Sequence, residues 1–173
     1  KYPPLDESLA KNHFEILQKE TSQRNYIQYE ISNFGREGYF SKHNTSYWNG
    51  STYIGIGPSA HSYDGMQRSW NIANNAKYVS SIQNEVLPCE KEKLSSEDRI
   101  NEAIMTGLRT MWGVSLAAIE KNYGKIHKDN ILQQAQKHLD QKTIKLENDH
   151  LFITAKGHFL VDGISADLFL LKV

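Results

Sequence analysis

The stretch Lys142–Thr154, KTIKLENDHLFIT, alternates apolar and polar residues on either side of Asn148-Asp149. A period of two turns one face of a strand toward a core, and Asn and Asp tolerate the positive φ of a tight turn, so the stretch predicts a β-hairpin. Upstream the period changes to that of a helix. One helix is expected from about Lys128 to Gln141, and a shorter one over Leu116–Tyr123 ends at Gly124. Another starts at Ser95-Ser96-Glu97-Asp98 and carries Ile100, Ile104, Leu108 and Met111. Ser95 and Asp98 are spaced as a capping box, with Asp in place of the usual Glu or Gln. Gly113-Val114-Ser115 stops this helix, and after the hairpin Ala155–Leu171 returns to helical spacing. Three helices, a hairpin and a last helix predict a winged-helix-like domain over 94–173, packed by Ile104, Leu108, Ile131, Leu139 and Phe152.

The charged, proline-marked run Leu87–Lys93 reads as a connector and domain boundary, which leaves 1–86 as a second unit. There, Asp6–Gln23 has a capping acid and helical spacing, Arg24-Asn25 breaks the helix, and Tyr26–Ile31 reads as a strand. Thr52–Ile56 reads as a second short strand that runs into the turn Gly55–Ala60. Consecutive αβ units usually lie side by side, so these two strands are expected to be neighbours in one parallel sheet. Asn74–Asn84 is expected to be helical, with Tyr78, Val79 and Ile82 on one face. Between the strands, Ser32–Gly50 is turn-rich yet carries Phe34, Tyr39, Phe40, Tyr47 and Trp48, so something packs there.

Composition narrows the function. The 20 basic and 20 acidic residues of the 173 cancel, so no global field draws the chain to nucleic acid or an anionic membrane. The longest apolar runs, such as LFLL at Leu168–Leu171, are far short of the roughly 18 residues that span a bilayer. A single cysteine, Cys89, forms no internal disulfide and fits a reducing cytoplasm. It also excludes a thiolate-held iron–sulfur cluster within these residues, since such a cluster needs several cysteines. The chain opens in mid-phrase at Lys1 and reads as a fragment.

Most candidate reactive residues have ordinary explanations. His13, His127, His138, His150 and His158 stand apart from other ligand types and read as solvated or packed, and Cys89 reads as an incidental thiol. The cluster His43-Asn44-Thr45-Ser46-Tyr47-Trp48 differs, because it sets an imidazole, an amide and two large π-faces within six residues. An imidazole ligates iron or moves a proton, and aromatic faces stack on a flat macrocycle. The same composition also describes a loop pinned by buried aromatics. Gly55–Ala60 is a turn that lets backbone approach a ligand, and Arg68-Ser69-Trp70-Asn71 sets a cation beside an indole.

Taken in order, YEISNFGREGYFSKHNTSYW, YIGIGPSAHSY, RSWN and EDRINEAIMTGLRTMWGVS resemble the C-terminal half of the oxygen-independent coproporphyrinogen III oxidase-like radical-SAM family, closest to its haem-chaperone branch. The resemblance implies an α/β fold, the distal part of a partial (β/α) barrel followed by the HemN-type, winged-helix-like tail. It implies a [4Fe–4S] cluster, S-adenosylmethionine and haem in the full-length protein, with the cysteine motif upstream of Lys1. The branch motif HN-x-x-YW falls on His43, Asn44, Tyr47 and Trp48, which implies haem handling and His43 as a haem-iron ligand. Thr45, Ser46, Gly57 and His61 are implied to approach S-adenosylmethionine. The expected partners are a tetrapyrrole and haem-acceptor proteins. The alternative is decarboxylation of coproporphyrinogen III in porphyrin biosynthesis, and a third reading takes the tail as a nucleic-acid module. Lys128 and Lys137 against Asp129 and Asp140 give that module too little positive charge.

Overall fold

The computed structural model describes residues 6–171. Asp6 accepts a hydrogen bond from the Leu9 amide at 3.0 Å and starts α1 (Glu7–Ser22), satisfying one of the donors a helix start leaves free. β1 (Ile27–Glu30) folds straight back on β2 (Asn33–Gly35) as an antiparallel pair. Ser41 then caps α2 (Lys42–Trp48), its hydroxyl accepting from the Asn44 amide at 3.2 Å. β3 (His61–Tyr63), β4 (Gln67–Asn71) and β5 (Cys89–Lys93) form an antiparallel sheet with β4 central, and α3 (Asn75–Gln83) lies in the β4–β5 connection.

Several sequence expectations are corrected here. The hexapeptide HNTSYW is a helix rather than part of a turn-rich loop, because Ser41 supplies a cap that its aromatic neighbours obscure. Thr52–Ile56 is not a strand: only Tyr53 bridges, to Tyr63, while Ile54 and Ile56 are 86% and 90% exposed. It does not pair with β1, whose partner is β2, and the sheets among the described residues are antiparallel. The stretch read as a connector contains β5, which pairs from Asn71↔Cys89 to Gln67↔Lys93. Glu and Lys are poor strand formers, so tertiary pairing with β4 supplies what local propensity does not.

The tail follows expectation closely. Ser95 and Asp98 close the capping box of α4 (Ser96–Leu108): the Asp98 amide donates to the Ser95 hydroxyl at 3.1 Å and the Ser95 amide to the Asp98 carboxylate at 3.0 Å. β6 (Val114–Ser115), α5 (Leu116–Tyr123), α6 (Lys125–Asp140), β7 (Ile144–Glu147) and β8 (His150–Ile153) complete a three-helix unit with a sheet of order β6-β8-β7. This is winged-helix topology. The hairpin turns at Asn148 and Asp149, whose φ values of 48° and 59° are those of a primed turn. Ile100, Ile104, Leu108, Ile131 and Leu151 are fully buried in one core, and Leu139 packs at its margin. Phe152 points away from it, stacking on His150, and Leu151 fills the inward place. The last helix is interrupted: a 3₁₀ turn at His158–Leu160 precedes α7 (Val161–Asp167).

β1 joins the two parts of the chain. The Ile31 amide donates to the Arg109 carbonyl at 3.0 Å and the Met111 amide to the Tyr29 carbonyl at 3.1 Å, so the residues after α4 lie against β1.

Candidate functional site

A helix brings residues four apart onto one face, and α2 does this twice. His43 and Tyr47 are exposed, with ring centroids 5.1 Å apart at right angles. Asn44 and Trp48 are more covered: Asn44 Nδ2 donates to Asn33 Oδ1 at 3.2 Å, and the Arg109 guanidinium lies 5.5 Å from the Trp48 ring. Ser46 Oγ donates to the His43 carbonyl at 2.7 Å, and Thr45 Oγ1 is buried without a hydrogen-bond partner. From Tyr47 the rings continue to Tyr53 at 5.0 Å and on to Tyr63 at 6.2 Å. The result is a run of aromatic faces that begins at an imidazole.

From Tyr47 onward, and with Trp48, this run forms one wall of a cavity of about 490 Å³, a volume typical of small-molecule sites, while His43 lies outside its lining. The opposite wall comes from α4, the α4–β6 turn and α5, with Glu102, Trp112 and Tyr123. Its charged lining residues are Arg68, Arg99 and Glu102, two cations to one acid. Arg68 Nη2 meets Glu102 Oε1 at 2.8 Å, and Arg99 lies 5.3 Å from the Tyr123 ring. Burial raises the Glu102 carboxyl above its usual range, with Arg68 opposing the shift. Burial also raises the Tyr63 phenol, and the charge of Glu102 adds to the effect.

Beneath α2 lies a polar network that the sequence reading missed. Glu30, its side chain 1% exposed, accepts from Arg109 Nε and Nη2 at 3.3 and 3.2 Å on one oxygen. Its other oxygen accepts from the Ser32 amide at 2.8 Å and Asn33 Nδ2 at 2.5 Å. Arg109 Nη1 also reaches Asp162 at 2.6 Å. A buried carboxylate with this many donors fixes the β1–β2 turn, hence Asn33, and through Asn33 the α2 helix. The available signal was an acid, Glu30, inside a strand rich in aromatic and β-branched residues.

Gly57 and His61 lie elsewhere. The Gly57 amide donates to Tyr78 Oη at 3.3 Å and its carbonyl accepts from Asn71 Nδ2 at 2.9 Å. His61 is exposed on β3, its ring 6.2 Å from Trp70, and lines a second cavity with Asn71, Cys89 and Glu90. In the turn, the close approach belongs to Gly55, where a Cβ would sit 2.1 Å from the His61 carbonyl oxygen. Arg68 lies over its cross-strand neighbour Tyr63 at 5.7 Å rather than on Trp70. Of the other histidines, His138 is buried against Asp167 at 3.0 Å and His158 contacts Gln18. Among the described residues no three His, Cys, Asp or Glu side chains converge as metal ligands.

Residues 94–160 match the HemN C-terminal domain family. The chain is 32% identical over 160 residues to the heme chaperone HemW of Bacillus subtilis (strain 168), covering 91% of this chain and 41% of that protein. It is 27% identical to the heme chaperone HemW of Mycobacterium tuberculosis (strain ATCC 25618 / H37Rv), covering 92% and 39%. Against the mitochondrial radical S-adenosyl methionine domain-containing protein 1 of Bos taurus it is 30% identical over 122 residues, 65% of this chain and 28% of that protein. The solved structure of coproporphyrinogen III oxidase (HemN) from Escherichia coli, a radical SAM enzyme, superposes with a TM-score of 0.66 at 18% identity, over 89% of this chain and 40% of that one. The fold is therefore that of a coproporphyrinogen-oxidase-like radical-SAM protein in the part that includes its C-terminal domain. Within that class the chain is similar in sequence to the HemW type over nine tenths of its own length. It spans about two fifths of the length of the HemW relatives named here.

Proposed function

We propose that the complete protein is a radical-SAM haem chaperone that binds haem and passes it to acceptor proteins, with this chain supplying part of the tetrapyrrole face. The observation that carries the reading is the exposed His43–Tyr47 pair on α2, at the end of an aromatic run that walls a cavity of about 490 Å³. A flat macrocycle is held by aromatic faces, and its iron takes an imidazole as axial ligand. His43 is the residue we assign to the iron, and Tyr47 and Trp48 to the ring.

The residues of this chain do not fit a [4Fe–4S] cluster: Cys89 is its one cysteine, and no ligand group converges among the described residues. Cluster and S-adenosylmethionine are assigned to the complete protein, and no step here runs through them. Thr45, Ser46, Gly57 and His61 are the residues we place toward S-adenosylmethionine. We take 1–86 as the distal barrel segment and 94–173 as the appended domain, in a protein of the cytoplasm. No helix among the described residues is long and apolar enough to cross a membrane. The winged-helix tail is read as structural or interactive rather than as a nucleic-acid module, because all three α6 lysines are already ion-paired: Lys125 to Asp129, Lys128 to Glu120 and Asp149, and Lys137 to Asp167.

The test is a haem titration of the complete protein and of His43→Ala, followed by the Soret band. The variant should bind more weakly with a shifted band. An unchanged affinity and spectrum would remove His43 as the iron ligand. Anaerobic product analysis with coproporphyrinogen III separates this reading, which expects no decarboxylated product, from oxidative decarboxylation, which requires one.

A further inference from the structure

We propose that the cavity between β3–β4 and α4–α5 receives the carboxylate-bearing edge of the tetrapyrrole, with Arg68 and Arg99 as the carboxylate receptors. The inference rests on the haem reading above and adds the chemistry by which the ligand's acidic side chains are recognised. It starts from two guanidiniums whose hydrogen-bonding capacity is only partly used. Arg99 forms no ion pair among the described residues; its guanidinium lies against the Tyr123 ring, and its Nε is buried without an acceptor. Arg68 gives Nη2 to Glu102, yet its Nε is likewise buried and without a partner. Nε and one Nη of an arginine form a fork matched to the two oxygens of a carboxylate, so a carboxylate bound side-on would supply the acceptor that each Nε lacks.

The surroundings select the rest of the ligand. Tyr47, Trp48, Tyr53 and Tyr63 present aromatic surface along the same cavity, and Glu102 is its one acidic lining residue. A small inorganic anion would use the cations and leave these rings idle, whereas a neutral aromatic would leave the cations unpaired. A planar aromatic macrocycle carrying carboxylates uses both. Glu102 then has a definite place: it occupies Arg68 while the cavity is empty and competes with an incoming carboxylate.

The experiment compares haem with haem dimethyl ester, in which both propionates are esterified, by Soret titration of the complete protein. Wild type should prefer the free acid by about tenfold or more, the scale of a hydrogen bond to a charged group. Arg99→Gln and Arg68→Gln should each weaken free-acid binding and leave ester binding unchanged, and together they should abolish the preference. Arg99→Lys, which keeps the charge but loses the fork, should retain part of it. Glu102→Gln should strengthen free-acid binding without affecting the ester. Equal binding of the two ligands by wild type overturns the inference and leaves the haem reading standing, as does a loss that is the same for both ligands in the arginine variants. Failure of wild type to bind either ligand overturns the haem reading and this inference with it. The wild-type comparison needs no substitution, so the test holds even where a variant does not fold.

Discussion

Arg109→Ala tests the link between the winged-helix domain and the α2 helix. The substitution removes two of the four hydrogen bonds made to the Glu30 carboxylate, which stays in place with its side chain 1% exposed. Breaking a buried pair from one side costs about 3–5 kcal/mol, because the remaining charge is neither solvated nor neutralised. The lost contact with Asp162, which is 79% exposed, adds little, and the lost stacking over Trp48 adds about 0.5–1 kcal/mol. Ser32 and Asn33 still hold the other Glu30 oxygen, so the lower end applies and we expect about 3 kcal/mol. At about 2–4 °C per kcal/mol for a chain of this size, Tm should fall by about 6–12 °C, read by calorimetry or thermal circular dichroism. Glu30→Gln in the Arg109→Ala background removes the stranded charge and should recover part of the loss. A loss below about 1 kcal/mol, or no recovery in the double variant, would refute the view that Arg109 acts by compensating a buried carboxylate.

Two further expectations concern stability. Gly113 has φ +72°, and a Cβ there would lie 2.6 Å from the Leu151 carbonyl and 2.7 Å from the Phe152 ring, so Gly113→Ala should cost about 3 kcal/mol in urea unfolding. Gly163 is helical with nothing within 4 Å of such a Cβ, and Gly163→Ala should instead stabilise by about 0.4–1 kcal/mol; reversed signs would contradict the backbone described. Burial holds the His158 imidazole below its usual value of 6.5, so the unfolded chain takes up the proton first. Stability should be full above about pH 6.5 and decline as pH falls through the lowered folded value, and His158→Gln should flatten that decline.

The parts of the fold that could be read from sequence are those whose determinants are local. Ile100, Ile104 and Leu108 repeat at four-residue intervals, Ser95 and Asp98 cap their own helix, and Asn148-Asp149 turns its own hairpin. Where pairing is non-local, reading failed. Cys89–Lys93 is a strand only because β4 lies beside it, and Glu30 meets a partner 79 residues away. The phase of a strand is harder to read than its period, which is why Phe152 was placed inward where Leu151 sits. At the candidate site, His43, Tyr47 and Trp48 were legible through resemblance to a family motif. That they form two faces of a helix, and that Arg68 and Arg99 share a cavity with Tyr47 and Trp48, depends on long-range packing that no local pattern encodes.

The sheet β3-β4-β5 ends on a strand whose sequence is CEKEK. An edge strand offers unpaired amides and carbonyls to any extended chain that drifts past, and it is a common starting point for misassembly. Here four successive exposed residues, Glu90, Lys91, Glu92 and Lys93, put a charge on each face of that edge. A hydrophobic segment that added itself as a fourth strand would have to strip water from those charges without offering counter-ions in return. The composition that hid β5 from sequence reading therefore also keeps the sheet from growing at this edge, which is protected against aggregation by the residues that make it look least like a strand.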